Sequence, residues 1–187
     1  MEGKNIKVQL GPFETLFKGK IFKVKQRQIT YPDGFKMNHE FCERFDSVTV
    51  LAFDKQDRLL LTREFREGSN KYVWFLPCGK VDPGEKPEQT AQREMREEIK
   101  KSAKEIKLLF KRPAGSSYFL WDTYIFVAKD LIDDPLEAEE RFPIEVVPTE
   151  LDKAVEMAIS GKIENVFMAF NIIRFSHMLQ NGEFSWE

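Results

Sequence analysis

Three glutamates on one helix face, set directly behind a glycine-bearing loop, constrain this chain more than any other feature of its sequence. Residues 86–100 (KPEQTAQREMREEIK) predict a helix with Pro87 in its first turn, where a missing N–H costs nothing. Ala91, Met95 and Ile99 recur every four residues and form an apolar stripe. Glu94, Glu97 and Glu98 fall at i, i+3 and i+4, on a face beside that stripe rather than opposite it. The acids therefore belong at the margin of a packed core, where a cleft can run. Like charges at this spacing repel by roughly a few tenths of a kcal/mol per pair. Hard divalent cations, which take oxygen ligands, supply the compensation. Just upstream, Gly79 and Gly84 bracket a loop between the run YVWFLP and the helix. Glycine lets the backbone turn tightly and present carbonyls, so the Cys78 carbonyl could face the carboxylates and complete a metal site.

The rest of the chain reads as strands interleaved with a few helices. KIFKVKQRQIT alternates apolar and polar residues, and Tyr31-Pro32-Asp33-Gly34-Phe35 is a turn signal, so residues 36–45 form the return strand. SVTVLAFD and DRLLLTREF predict a hairpin across the polar turn 54–57, and YVWFLP a short buried strand ended by Pro77. Further strands fall near 105–112, 117–128 and 142–147, with helices near 149–159 and 164–179. This pattern predicts an α/β fold, a mixed β-sheet covered by helices, with a small N-terminal antiparallel β appendage. Residues 1–45 form the appendage and 46–187 the main domain; the appendage would be marginal alone.

Composition excludes several classes. With 187 residues, 42% hydrophobic and 32% charged, the chain can bury a core without staples and is neither disordered nor a coiled-coil rod. Lys and Arg total 29 against 31 Asp and Glu, a net charge of −2 that lacks the basic footprint of a nucleic-acid binder. The two cysteines, Cys42 and Cys78, read as free thiols in a reducing compartment. No apolar run is long enough for a signal peptide or a membrane span, so a cytoplasmic protein is expected. Neither histidine, His39 or His177, sits in a motif, so Ser/His/Asp and Cys/His catalysis has no support.

Gly79, five residues, Glu85, seven residues, then Arg93-Glu94-Met95-Arg96-Glu97-Glu98 is similar to the Nudix box, G-x5-E-x7-R-E-U-x-E-E-x-G-U. Every position fits through Glu98; Lys100 stands where the box has glycine and Lys101 where it has an apolar residue. The box glycine ends the helix in a left-handed conformation, where another residue costs on the order of 1 kcal/mol. Two lysines beside the negative end of the helix dipole would offset part of that. The layout of residues 41–180 further resembles the branch acting on ADP-ribose and other nucleoside diphosphate sugars. Glu43-Arg44, Arg63-Glu64-Phe65-Arg66, WFLPCGK and an acidic loop carry this likeness.

The resemblance implies a Mg²⁺-dependent hydrolase (Mn²⁺ a possible substitute) that splits the pyrophosphate of a nucleotide sugar. ADP-ribose is the first choice, giving AMP and ribose 5-phosphate, and GDP-mannose or another nucleotide sugar the second. It implies metal ligation by Glu94, Glu97, Glu98 and the Cys78 carbonyl, with Gly79, Glu85 and Arg93 as structural members of the box. A loop glutamate, Glu139 or Glu140 with Glu137 next, would activate water. Arg66 aligns with a phosphate-contacting arginine, Arg44 with a second nucleotide-binding one, and Phe22 is a candidate for stacking on the base. A homodimer is implied, with the N-terminal ribbon crossing to the partner. Each role has a plainer rival: a solvated acidic helix face, a casual surface ion pair, an ordinary acidic loop, a core phenylalanine among 17. The alternative functions are a nucleotide-sugar sensor without turnover, which Lys100 favours, and an isoprenoid diphosphate isomerase, which would need a reactive Cys78.

Overall fold

Alternation along two buried strands sets the layering. Strand by strand, the computed structural model, which describes residues 7–114, 118–137 and 141–186, runs β1 (Gln9–Leu10), β2 (Glu14–Lys18), β3 (Phe22–Thr30), β4 (Lys36–Arg44), β5 (Ser47–Ala52), β6 (Leu59–Arg66), β7 (Lys71–Phe75) and β8 (Cys78–Lys80). Then come α1 (Pro87–Glu98), β9 (Lys101–Pro113), β10 (Phe119–Leu120), β11 (Asp122–Asp133), β12 (Glu145–Thr149), α2 (Leu151–Ile159) and α3 (Val166–Gln180). The chain divides into two compact units: residues up to Asp46 with Arg112–Asp122, and Ser47–Lys111 with Thr123–Glu187.

In the second unit, β8, β5, β11 and β9 form a four-stranded mixed sheet, with β5 and β11 parallel and β5 and β8 antiparallel. Val48, Val50 and Ala52 of β5, with Phe126 and Ala128 of β11, face α1 through Ala91, Met95 and Ile99. The intervening Leu51, Ile125 and Val127 pack the opposite way against Ala154 and Met157 of α2 and Ile172 and Phe175 of α3. The period of two in the strands thus builds two apolar layers, and each is covered by helix. The mixed sheet between helices agrees with the expected fold class.

The predicted hairpin does not form as a ladder. The turn is present, with Asp54 accepting from the amides of Gln56 and Arg58 at 2.9 Å each and Asp57 at φ 57°. Beyond it, an isolated bridge joins Phe53, just past β5, to Leu59, and the two strands then diverge into different sheets. β6 lies between β12 and β7, antiparallel to both. Both runs are apolar on two faces, so each needs cover on both sides, which one shared two-stranded ribbon cannot provide.

In the first unit, β3 and β4 pair antiparallel along their whole length, from Phe22 opposite Arg44 to Thr30 opposite Lys36. Gly34, at φ 86°, closes the turn between them by donating to the Tyr31 carbonyl at 2.9 Å. β1 and β2 share the other edge of β3, and β10 lies parallel to β4. Phe17, Ile21, Phe22 and Phe35 are exposed there. Among the described residues no helix is long and apolar enough to cross a membrane.

Helix α3 starts at Asn165, whose side-chain oxygen accepts from the amides of Phe167 (3.0 Å) and Met168 (3.2 Å). Asn165→Ala should cost about 1 kcal/mol through loss of this cap. Thermal denaturation should then show Tm about 2–4 °C lower.

Candidate active site

Strand β8, the following loop and α1 bring the acids together. Cys78 pairs with Thr49 in the sheet, which fixes the backbone at 78–79 beside the helix. The Cys78 amide donates to Glu98 Oε2 at 3.0 Å. The Glu94 carboxylate lies so close to Gly79 that a Cβ there would overlap it. Glycine at 79 is therefore a matter of space, whereas Gly84, at φ 87°, is one of backbone conformation. Glu94 and Glu98 are 7% and 6% exposed, so two carboxyl groups of the same helix face are almost wholly withdrawn from water.

Arg93 is the cation that faces Glu94 and its neighbour Glu97. Its Nη1 donates to Glu94 Oε1 at 2.8 Å and to Glu97 Oε2 at 3.0 Å. Its Nε and Nη2 grip the two oxygens of Glu85, both at 3.1 Å, and Nη2 also reaches the Lys80 carbonyl at 3.1 Å. One guanidinium thus fastens the 80–85 loop to the helix and neutralises part of the acid face. Burial disfavours the Arg93 charge, but the hydrogen bonds it donates to Glu85 and the field of Glu94 outweigh it and raise its pKa. At Glu85, burial pulls the pKa upward, and hydrogen bonds from Arg93 and Thr90 more than reverse it, leaving the carboxyl below its ordinary value.

A further acid, Glu64, stands close by and was not singled out from the sequence. It is 5% exposed, accepts from Thr62 Oγ1 at 2.5 Å and is paired with Arg66. Burial first, then the charges of Glu98 and Glu64 and to a lesser degree Glu94, push the Cys78 thiol well above its ordinary pKa. The Arg66 guanidinium lies over the Phe75 ring at 4.3 Å, and its charge acts on the same thiol in the opposite sense. The signal for Glu64 was present: Thr62, Glu64 and Arg66 alternate along a strand that begins Leu59-Leu60-Leu61, so they project to one side.

Arg44 and Phe22 belong to the first unit, where they are cross-strand partners. Arg44 lies over the Trp121 ring at 4.5 Å, and burial together with the charge of Arg44 lowers the pKa of Arg112. An open cleft of about 530 Å³ in this unit is lined by Asp46, Pro113, Phe119 and Trp121 among others. Glu139 and Glu140 lie outside the described residues; Glu137 is exposed at the end of the segment before them.

The donor set at α1 suits a hard divalent cation. It consists of carboxylate oxygens, two of them buried, held against a backbone that has no room for a side chain at Gly79. In the present arrangement Glu94 and Glu97 turn to Arg93 and Glu98 to the Cys78 amide. Among the described residues no three acidic, His or Cys side chains converge as a metal cluster. A cation would thus compete with Arg93 for Glu94 and Glu97.

A family model described as the NUDIX domain matches residues 43–159. The chain belongs to the Nudix hydrolase family. Enzymes of this family generally use divalent metal ions, in keeping with the donor set. An ADP-ribose pyrophosphatase of Bacillus subtilis (strain 168) is 25% identical over 161 residues, 85% of this chain and 87% of that protein. The ADP compounds hydrolase NudE of Escherichia coli (strain K12) is 30% identical over 132 residues, 70% of this chain and 71% of that one. The solved structure of an ADP compounds hydrolase matches with a TM-score of 0.83 at 24% identity, covering 96% of this chain and 98% of that chain, a likeness of fold. Within this Nudix domain, Lys100 takes the left-handed conformation that the box assigns to glycine, at φ 61°. The helix therefore ends where the box requires, and the one feature that favoured a sensor without turnover loses its force.

The Arg93 hub has a consequence for stability. Because Glu85 titrates below its ordinary value in the folded protein, its contribution is complete above about pH 4.3, the ordinary glutamate range, and fades as the pH falls through the lowered value. Arg93→Met, compared with the parent in chelator, should lose about 2 kcal/mol at pH 7. The difference in Tm between the two proteins should narrow progressively as the pH falls below about 4. A gap that persists undiminished in acid would show that Arg93 acts through packing and its bond to the Lys80 carbonyl rather than through the carboxylates.

Proposed function

We propose that this Nudix hydrolase splits the pyrophosphate bond of a nucleoside diphosphate joined to a sugar. ADP-ribose is the first substrate, giving AMP and ribose 5-phosphate, and Mg²⁺ is the working cation. The carrying observation is the pair of buried carboxylates, Glu94 and Glu98, held on one helix face against the backbone at Cys78 and Gly79. The relatives named as ADP-ribose pyrophosphatase and ADP compounds hydrolase support the choice of substrate.

In this reading Glu94, Glu97, Glu98 and the Cys78 carbonyl hold the metal. Bound divalent cations neutralise the diphosphate and lower the pKa of a coordinated water. Arg66 holds a phosphate through its planar fork of donors, and its ion pair with Glu64 keeps that fork oriented. An acid of the 137–140 loop takes the proton from water as its oxygen adds to phosphorus and the bridging P–O bond breaks. Arg44, Trp121 and Phe22 offer a cation and ring faces suited to a nucleotide. The exposed Phe17, Ile21, Phe22 and Phe35 of the first unit favour burial against a second copy, so the working form is a homodimer. Free Cys42 and Cys78 suit a cytoplasmic enzyme.

Purified protein should release AMP from ADP-ribose with Mg²⁺ and release none in chelator, with GDP-mannose, dinucleoside polyphosphates and nucleoside triphosphates as comparators. Glu98→Gln should lower kcat by about 10²-fold or more while circular dichroism stays that of the parent. Full turnover of that variant under saturating Mg²⁺ would remove Glu98 from the metal site. Sedimentation velocity should give twice the mass of one chain.

A further inference from the structure

Lys100 does more than replace a glycine. Its backbone takes the left-handed turn, a conformation that disfavours side chains, and its ammonium then bridges two segments far apart in sequence. Nζ donates to the Glu97 carbonyl at 2.8 Å and to the Leu136 carbonyl at 2.9 Å. The first acceptor is one of the carbonyls that the last turn of a helix leaves without an internal partner. The second lies one residue before Glu137.

The same stretch is tied to α1 at alternate residues. The Asp134 amide donates to the Lys100 carbonyl and the Leu136 amide to the Arg96 carbonyl, both at 3.1 Å. Arg96 Nε reaches Asp134 Oδ2 at 3.0 Å, and Lys101 Nζ reaches Asp133 Oδ1 at 2.6 Å. Residues 133–136 therefore run as a strap across the C-terminal end of the helix that carries Glu94, Glu97 and Glu98. Two of these ties hold the helix and the far end of the strap at once: the Leu136 amide on the Arg96 carbonyl, and the Lys100 ammonium, the side-chain tie of the two. A glycine at this position would keep the turn and lose that tie.

We infer that Lys100 is a positioning residue: it helps clamp the 133–136 strap to the end of α1 and so sets where the chain leaves the helix at Glu137. The inference rests on the reading that a loop acid activates water. The clamp is exposed, so its hydrogen bonds compete with water and add little to global stability. Its effect lies in geometry, where a displacement of about 1 Å can cost up to about 10²-fold in rate.

Three substitutions separate reach from backbone strain. Lys100→Gly relieves the left-handed turn without reach, Lys100→Asn tolerates that turn and is too short, and Lys100→Arg keeps the reach. With ADP-ribose and Mg²⁺, the Gly and Asn variants should lose about tenfold in kcat with KM nearly unchanged, while Tm of the Gly variant rises by about 2–4 °C. Lys100→Arg should restore most of kcat. Hydrogen exchange, read without substrate or metal, should quicken at the Leu136 amide in the Gly and Asn variants and not in the Arg variant. Parental kcat in the Gly and Asn variants, or unaltered exchange at Leu136, would overturn the inference. Glu137→Gln, Glu139→Gln and Glu140→Gln serve as the control. If one of them lowers kcat and the Lys100 variants do not, the clamp alone fails; if none does, the loop-acid reading fails and the inference with it.

Discussion

Everything at the candidate site depends on how negative charge buried on α1 is compensated. Glu94 and Glu98 are almost wholly shielded from water, and an isolated buried carboxylate would take up a proton rather than remain charged. Arg93 makes the arrangement tenable by sharing one guanidinium among Glu85, Glu94 and Glu97. The same contacts that neutralise the acids also lash the 80–85 loop to the helix. Charge balance and loop position are thus one device, and a change in either is felt by the other. A divalent cation entering beside Glu94 and Glu97 would take over part of that balance.

The scaffold beneath this device is simple. β5 and β11 present alternate side chains to two helix layers, and the α1 layer ends in Met95 and Ile99, next to the acids. Polar function at the rim costs the core little, because the carboxylates occupy the sector of the helix adjoining the packed one rather than replacing it. The pairing of Cys78 with Thr49 then supplies a fixed backbone edge against which the acids are set.

The helix, its acid face and the turn at 31–35 were legible because each is local: a stripe of period four, a spacing of three and four, a Pro-Asp-Gly sequence. The separation of β5 from β6 was not, because the turn between them obeys hairpin chemistry and only burial on both faces decides that the strands part. Glu64 was missed for a related reason. Within Arg63-Glu64-Phe65-Arg66 it reads as one charge among several, and its meaning comes from β6 being set so that Glu64 and Glu98 bear on the same thiol. The association of 112–122 with the N-terminal strands likewise depends on contacts far apart in sequence.

Adjacent residues 78 and 79 show how differently a site can constrain its members. Cys78 contributes through its main chain: its amide donates to Glu98, while burial first, and then the charges of Glu98 and Glu64, push the pKa of its thiol up. A small uncharged side chain of similar volume at 78 would meet the same demands. At Gly79 the demand is the absence of a side chain, because even a methyl group would drive the Glu94 carboxylate from its place beside the strand. That carboxylate is also bound to Arg93, so its displacement would loosen the guanidinium and, through Glu85, the loop itself. One added carbon at 79 would therefore reach the acids, the hub and the loop together, whereas the sulfur at 78 could be exchanged with little consequence.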